Sequence, residues 1–232
     1  DGKPLAKRER TRLFMFHKPR GFVTTDRDPE GRPTIFDALP EGLPRLISIG
    51  RLDINTEGLL LLTNDGGLAR VLELPSTGWL RKYRVRANGK TDQAQLDELR
   101  KGIVIEGIEY AGIEAHLDRV QGANVWLTMG LREGKNREVR KLFEAVGLVV
   151  SRLIRIRYGT VVLPRGLRRG VVPARQQLAG IGEVEIFEGL ALQRPAVDRR
   201  RPQLDEALDA IDLRLRGRDP GLGVGDGLQG LD

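Results

Sequence analysis

The side chains best suited to chemistry in this chain crowd into GRLDINTEGLLLLTNDGG, residues 50–67. Arg51, Asp53, Asn55, Thr56 and Glu57 take five of seven consecutive positions, and Asp53 lies between Leu52 and Ile54 with a guanidinium two residues away. A carboxylate in that setting can serve as a nucleophile, and an Asp in a loop can equally close an Asx-turn or cap a helix. Leu59-Leu60-Leu61-Leu62 follow at once and end at Asn64-Asp65-Gly66, the pattern of a buried strand running into a turn. The polar segment is therefore a loop held in place by a rigid core element.

Three further segments carry side chains that suit one task. Tyr83 lies in KYRVRA, Arg137 and Arg140 in REGKNREVRKLFEAVG, and Leu153 between arginines in SRLIRIRY. Arginines neutralise phosphates, while Tyr83 and Leu153 can lie against a base, so the set suits a neutral ring carried on a polyanion. An ionised carboxylate beside such an apolar wall needs a cation, which a helix arginine supplies. Taken alone, Arg137, Arg140 and Lys141 also fit a solvated helix face.

The charge distribution agrees with a polyanionic partner. Of 39 basic and 32 acidic residues, 7 and 11 fall in residues 183–232, which leaves 32 and 21 before them: a tail of −4 and a body of +11. Such a body attracts a phosphate backbone. The absence of cysteine excludes disulfides, thiolate metal sites and a cysteine nucleophile, and suits a reducing cytoplasm. His17 and His116 are too few for a histidine zinc site or a serine–histidine hydrolase, so neither metal nor cofactor is expected. No apolar run approaches the roughly 20 residues of a membrane span. Residues 130–136 lack the spacing and the Ser or Thr of a phosphate loop, and no second carboxylate is singled out for glycoside hydrolysis.

The elements that must position these side chains follow from periodicity and breakers. Residues 12–16 and 22–25 read as a hairpin bent at Pro19 and Gly21, and 34–39 as a short helix stopped by Pro40. Strands are predicted at 46–49, 82–87, 103–105, 113–117, 125–129 and 151–158, and helices at 68–74 and 91–101. Within 132–147, Val139, Leu142, Phe143 and Val146 make one apolar helix face that Gly147 closes. Residues 204–215 read as an acidic amphipathic helix and 217–230 as a glycine-rich, disordered tail. Frequent hairpins and a majority of strands give an α+β class with a largely antiparallel sheet.

Five blocks then carry a resemblance in order and spacing: HKPRG at 17–21, GRLDINTEGLLLLTNDG at 50–66, KYRV at 82–85, EGKNREVRKLFEAVG at 133–147 and SRLIRIRYG at 151–159. Over roughly residues 12–177 they resemble the RsuA/RluB branch of the RNA pseudouridine synthases. DPEGRPT at 28–34 and SRLIRIRYG are most similar to members that act on large-subunit ribosomal RNA. The resemblance implies a mixed, mostly antiparallel sheet flanked by helices, and isomerisation of one uridine to pseudouridine without cofactor or metal. It implies Asp53 as the nucleophile, attacking sugar or base or assisting a glycal-type elimination. Arg140 would pair with that carboxylate in a dry pocket, Tyr83 would stack on the base, and Leu153 would pack against it. Arg51 would fill the gap left by base flipping. Asn55 and Thr56 join the substrate-binding set, and Lys18, Arg137 and Arg155 are expected to contact phosphates.

Residues 1–11 resemble only the end of the S4-type RNA-binding domain that such enzymes carry. The expected layout is therefore a remnant or linker at 1–11, a catalytic domain at 12–182 and an acidic, glycine-rich tail at 183–232. A monomer in the cytoplasm, acting on ribosomal RNA of a large-subunit precursor and on no membrane, is the expected working form. Two alternatives share the charge pattern: a non-catalytic RNA-binding or assembly module, and a synthase acting on small-subunit ribosomal RNA.

Overall fold

The leucine run does form a buried strand, and that strand starts three residues before Leu59, at Thr56. The computed structural model describes residues 10–164, 167, 169–170 and 181–184. The predicted helix at 204–215, the glycine-rich stretch and most of residues 1–11 lie outside them.

The strands are β1 (Leu13–Lys18), β2 (Ile47–Ile49), β3 (Thr56–Thr63), β4 (Arg81–Asn88), β5 (Ile103–Ile105), β6 (Ile108–Tyr110), β7 (Glu114–Gln121), β8 (Asn124–Leu131), β9 (Val149–Tyr158), β10 (Val161–Val162) and β11 (Ile181–Val184). The α-helices among the described residues are α1 (Gly66–Glu73), α2 (Gln93–Asp97) and α3 (Glu138–Ala145). One sheet runs in the order β11-β1-β3-β9-β4-β8-β7, with β2 added to β3 and β10 to β9; β5 and β6 form a separate hairpin. Every pair is antiparallel except β3 with β9. The expected α+β class with a mixed, mostly antiparallel sheet is what the chain adopts.

All eight residues of β3 are buried, as a central strand covered on both faces requires. Leu60 and Leu62 join Tyr83, Val85, Leu127 and Leu153 on the face covered by Leu96 of α2 and by Leu142 and Phe143 of α3. Leu59 and Leu61 face the other way, against Leu68 and Leu72 of α1. Each of these four leucines contributes about 2 kcal/mol through burial, which makes β3 a hard element to displace. Its first residue follows the Asp53 loop.

Three local expectations change. Residues 22–25 do not return beside β1; Val23 makes a single parallel bridge to Thr34 instead. The reason is that β1 is apolar on both faces and is taken as a central strand between β3 and β11. The helix expected within 132–147 begins only at Glu138, because Arg137 adopts a left-handed conformation (φ 52°) that breaks the helical path. The helix expected over 34–39 shrinks to one 3₁₀ turn at Phe36–Ala38.

Candidate active site

Every backbone carbonyl from residue 52 to residue 56 is held by a donor from elsewhere in the fold or from the turn itself. Thr24 Oγ1 donates to Leu52 O (3.3 Å), Thr56 N and Lys18 Nζ to Asp53 O (2.9 and 3.1 Å), and Gly21 N to Ile54 O (2.9 Å). Arg140 reaches Asn55 O with Nη2 (3.3 Å), and Lys18 Nζ reaches Thr56 O (2.9 Å). Backbone groups so satisfied cannot shift without losing partners. The peptide path of the loop is fixed while the Asp53 side chain stays exposed.

Two close approaches build the platform beneath it. Parallel pairing sets Thr56 beside Leu153 and Gly58 beside Arg155. A Cβ at Gly58, whose φ is +105°, would lie 2.3 Å from Arg155 O, so only glycine lets β3 and β9 approach there. On the other side of β9, Tyr83 of β4 stands opposite Arg155, and Val85 opposite Leu153.

Together these elements line a cleft of ≈ 800 Å³, large enough for a nucleotide. Arg51, Asp53, Thr56, Tyr83, Arg137, Arg140, Leu153 and Arg155 all contribute to its lining. Tyr83 and Leu153 are 8% and 4% exposed and form an apolar floor. Asp53 and Arg51 stand at the wall from the β3 side, and Arg137 and Arg140 at the wall from the α3 side. The left-handed conformation of Arg137 is the kind of backbone strain that persists where a functional loop needs it.

Four of the expected residues are placed by this geometry in settings that their expected roles did not assume. Lys18, expected at a phosphate, is 0% exposed, and its ammonium donates to Pro19 O and to the carbonyls of Asp53, Ile54 and Thr56. Burial pulls its pKa down to about 8, against the opposing pull of the Asp53 and Glu57 carboxylates. Arg155 is likewise too buried, at 2% exposure, to meet a phosphate. Its Nε donates to Leu59 O (2.7 Å), and its guanidinium lies 5.1 Å from the centre of the Tyr158 ring, which Arg81 covers at 4.8 Å. Asn55 is exposed but stands outside the cleft lining; its contribution is the carbonyl that Arg140 holds.

The fourth of these settings is that of Arg140, expected to pair with Asp53. Arg140 donates Nη1 to Val150 O (3.0 Å) and Nη2 to Asn55 O, and makes no ion pair within 4 Å with Asp53 among the described residues. The Asp53 side chain is exposed, and the Arg140 guanidinium is spent on backbone carbonyls. The two charges still sense each other. Burial lowers the Arg140 pKa and the Asp53 carboxylate raises it, with Arg137 and Arg20 lowering it again.

The matches to known proteins fit this architecture. The model of the RNA pseudouridylate synthase family matches residues 12–145. Ribosomal large subunit pseudouridine synthase B of Shigella flexneri is 47% identical over 175 residues, covering 73% of this chain and 60% of the relative. The protein of the same name from Salmonella typhimurium is 49% identical over 208 residues, covering 86% and 70%. The chain belongs to the RNA pseudouridylate synthase family. It spans about three-fifths of the length of the first of these relatives. A solved pseudouridylate synthase superposes with a TM-score of 0.64 at 27% identity, over 78% of this chain and 73% of the other. The protein of an H/ACA ribonucleoprotein bound to a substrate RNA containing 2′-deoxyuridine shares the fold at a TM-score of 0.53 and 18% identity, over 68% and 50%.

Within this family member, residues to which pattern reading gave no role brace the cleft or the sheet behind it. Glu138, 3% exposed, accepts from Lys135 N (2.9 Å) and so ties the 132–137 loop to the start of α3; burial raises its pKa. Arg81 braces the far end, donating to Arg132 O (2.9 Å) and to the Tyr158 hydroxyl (3.1 Å). Glu57, 3% exposed on the opposite face of β3, pairs with Arg152 (3.2 Å) and Arg169 (3.3 Å). Only Glu57 had a readable signal: a carboxylate adjoining a fully apolar strand must be paired if it enters that strand.

Proposed function

We propose that this chain isomerises a uridine of ribosomal RNA to pseudouridine, with Asp53 as the nucleophile. The observation that carries the reading is an exposed carboxylate on a loop whose carbonyls are all engaged, facing a cleft with an apolar Tyr83–Leu153 floor. In the reaction the N1–C1′ bond breaks, the uracil turns, and C5 joins C1′ as the C5 hydrogen leaves. The product is an isomer, so no redox partner or hydrolytic water is consumed.

Each role follows from position. Asp53 reaches the reacting sugar or base, whether by direct attack or by assisting elimination to a glycal. Tyr83 stacks on the uracil and Leu153 packs against it, while Arg51 enters the space that the flipped nucleotide leaves. Arg137 and Arg140 neutralise the phosphates at the cleft mouth, and Arg140 adds a positive field near the Asp53 carboxylate. Glu57 takes no part, because it lies on the other face of the sheet.

The names of the relatives support large-subunit ribosomal RNA as the substrate class. In this reading the protein works alone on a ribosomal precursor. The test is release of tritium from transcripts labelled at uridine C5, with the parent chain and with Asp53→Asn. Release from the parent and none from the variant is expected. Equal release from both would refute the nucleophile, and none from either would favour a non-catalytic RNA-binding module. Mapping pseudouridine in ribosomal RNA from cells with and without the protein identifies the subunit.

A further inference from the structure

Beside the catalytic cleft lies a second, smaller cavity that the proposed reaction does not use. It sits where β4 and β7 begin and β8 ends, and it measures ≈ 310 Å³. Small-ligand pockets run from roughly 300 to 1,000 Å³, so this one has room for one nucleobase and not for a stretch of chain. The two cavities share Leu131, Arg132, Glu133 and Glu138 in their linings, which makes them neighbours across one segment of the protein.

Strand register makes the hollow. Lys82 of β4 pairs with Gly130 of β8, and Gly130 pairs with Glu114 of β7, so these three form one row with no side chain at its centre. A Cβ at Gly130 would stand 3.1 Å from Leu80 Cδ1 and 3.9 Å from Lys82 Cγ, and both of those residues line the cavity. A methyl group there would take space that is now open to a ligand. Lys82 makes no ion pair within 4 Å among the described residues, so its ammonium can meet an anion.

Glu138 supplies the second polar group. It is 3% exposed, and Oε2 takes the Lys135 N–H at 2.9 Å, while Oε1 is buried with no hydrogen-bond partner among the described residues. A buried carboxylate oxygen without a donor costs stability, and native folds rarely leave one so. This oxygen belongs to a residue in the wall of both cavities, and a ligand that brings an N–H would satisfy it. Lys82 in the same lining opposes a cationic amine and favours a ligand that carries negative charge. The amine must therefore be neutral and its carrier anionic. Adenine, cytosine and guanine nucleotides meet both conditions, with an exocyclic amine on a planar ring and a phosphate; uracil has no amine.

We propose that the smaller cavity takes one amino-bearing base of the RNA close to the target uridine, with Glu138 Oε1 accepting from the amine and Lys82 meeting the phosphate. The inference rests on the reading of the larger cleft as the uridine site and adds a second point of sequence recognition to it. Glu138 is the specificity-determining residue of this subsite, and it passes the contact to the 132–137 loop through its bond to Lys135 N.

The test uses adenosine and inosine 5′-monophosphates, which differ at C6 as amine against carbonyl and offer no uracil to Asp53. Each is titrated into the full chain and followed by the amide resonances of Gly112 and Gly130, two residues of the lining. The adenine nucleotide should bind about tenfold more tightly, the worth of one hydrogen bond to a charged acceptor. Glu138→Gln keeps an oxygen for Lys135 N and turns an amide N–H₂ toward the cavity, so the preference should reverse in favour of inosine. A merely structural residue would weaken both nucleotides alike. Lys82→Gln and Gly130→Ala should each weaken both without changing their ratio. Absence of binding, equal binding of the two nucleotides by the parent, an unreversed preference in Glu138→Gln, or shifts confined to the amides of Tyr83 and Leu153 would each overturn the proposal. On ribosomal RNA transcripts, Gly130→Ala should raise KM for tritium release and leave kcat unchanged; an unchanged KM would overturn the base-reading role. A parent chain that prefers adenine at Gly130 yet releases no tritium would instead refute the reaction proposed for the larger cleft.

Discussion

Replacing Lys18 by methionine separates two roles for a basic residue next to a polyanion-binding cleft. The side chain is fully buried and makes three well-formed bonds of 2.9–3.1 Å, to Thr56 O, Pro19 O and Asp53 O, plus a longer one to Ile54 O. At about 1.5–2 kcal/mol for each bond from a charged donor, the three contribute about 5 kcal/mol. Holding the ammonium charged at neutral pH, with its pKa lowered from 10.5 to about 8, costs about 3 kcal/mol. The net loss in Lys18→Met is therefore about 2 kcal/mol by denaturant titration. Turnover should fall more steeply, by about 100-fold, because a shift of about 1 Å in the Asp53 loop misplaces the reacting group. RNA affinity and its salt slope should not move, since no phosphate reaches the residue. The pH dependence has a definite sign as well. Between pH 8 and 10.5 the unfolded chain binds the proton more tightly than the folded one, so this group makes the parent gain stability as pH rises. The variant should lack that gain. Intact turnover together with a salt slope reduced by about 0.7–0.9 would refute the positioning role and restore a phosphate contact.

Asp53→Asn should abolish C5 hydrogen release with a nearly unchanged melting temperature, because the side chain is exposed and makes no ion pair within 4 Å among the described residues. Arg140→Ala should lower turnover and cost about 1 kcal/mol in stability, read by thermal melting, from the lost bonds to Val150 O and Asn55 O. A drop of several kcal/mol would instead indicate the close ion pair that the geometry lacks. Gly58→Ala should cost about 3 kcal/mol or more in denaturant titration, since a Cβ would meet Arg155 O at 2.3 Å and φ is positive. His17 is held below its ordinary value of 6.5 chiefly by burial, so its contribution to stability is whole above pH 6.5 and is lost as pH falls through the folded pKa. His17→Gln, which can still meet Leu167 O, should flatten that acid limb in pH-dependent melting.

The strongly patterned elements were legible because burial and period leave little choice. The leucine run of β3, the alternation of β4 and β9 and the apolar face of α3 each require one conformation to hide their side chains. The cleft was legible as a set of side chains on loops and strand faces, since Tyr83, Leu153, Asp53 and the helix arginines came from segments whose faces could be assigned. Their convergence was not. It depends on parallel pairing of β3 with β9, a long-range register that no local window contains. The same limit explains the failed hairpin: residues 22–25 look like a partner for β1, yet β1 is apolar on both sides and pairs with β3 and β11.

Roles misread from residue type share one physical cause. Lysine next to Pro-Arg-Gly reads as a surface cation, because composition cannot report that four carbonyls turn inward to receive it. Arg155 alternates correctly along β9, but its buried guanidinium is taken up by Leu59 O and the Tyr158 ring. Asp53 and Arg140 were expected as partners because a buried carboxylate needs a cation. The fold meets a different need, that of the loop backbone, and leaves the carboxylate wet. A guanidinium that grips Asn55 O keeps its charge near residue 53 without neutralising it there. The carboxylate oxygens therefore remain available to an incoming sugar or base, which a tight bidentate pair would have occupied.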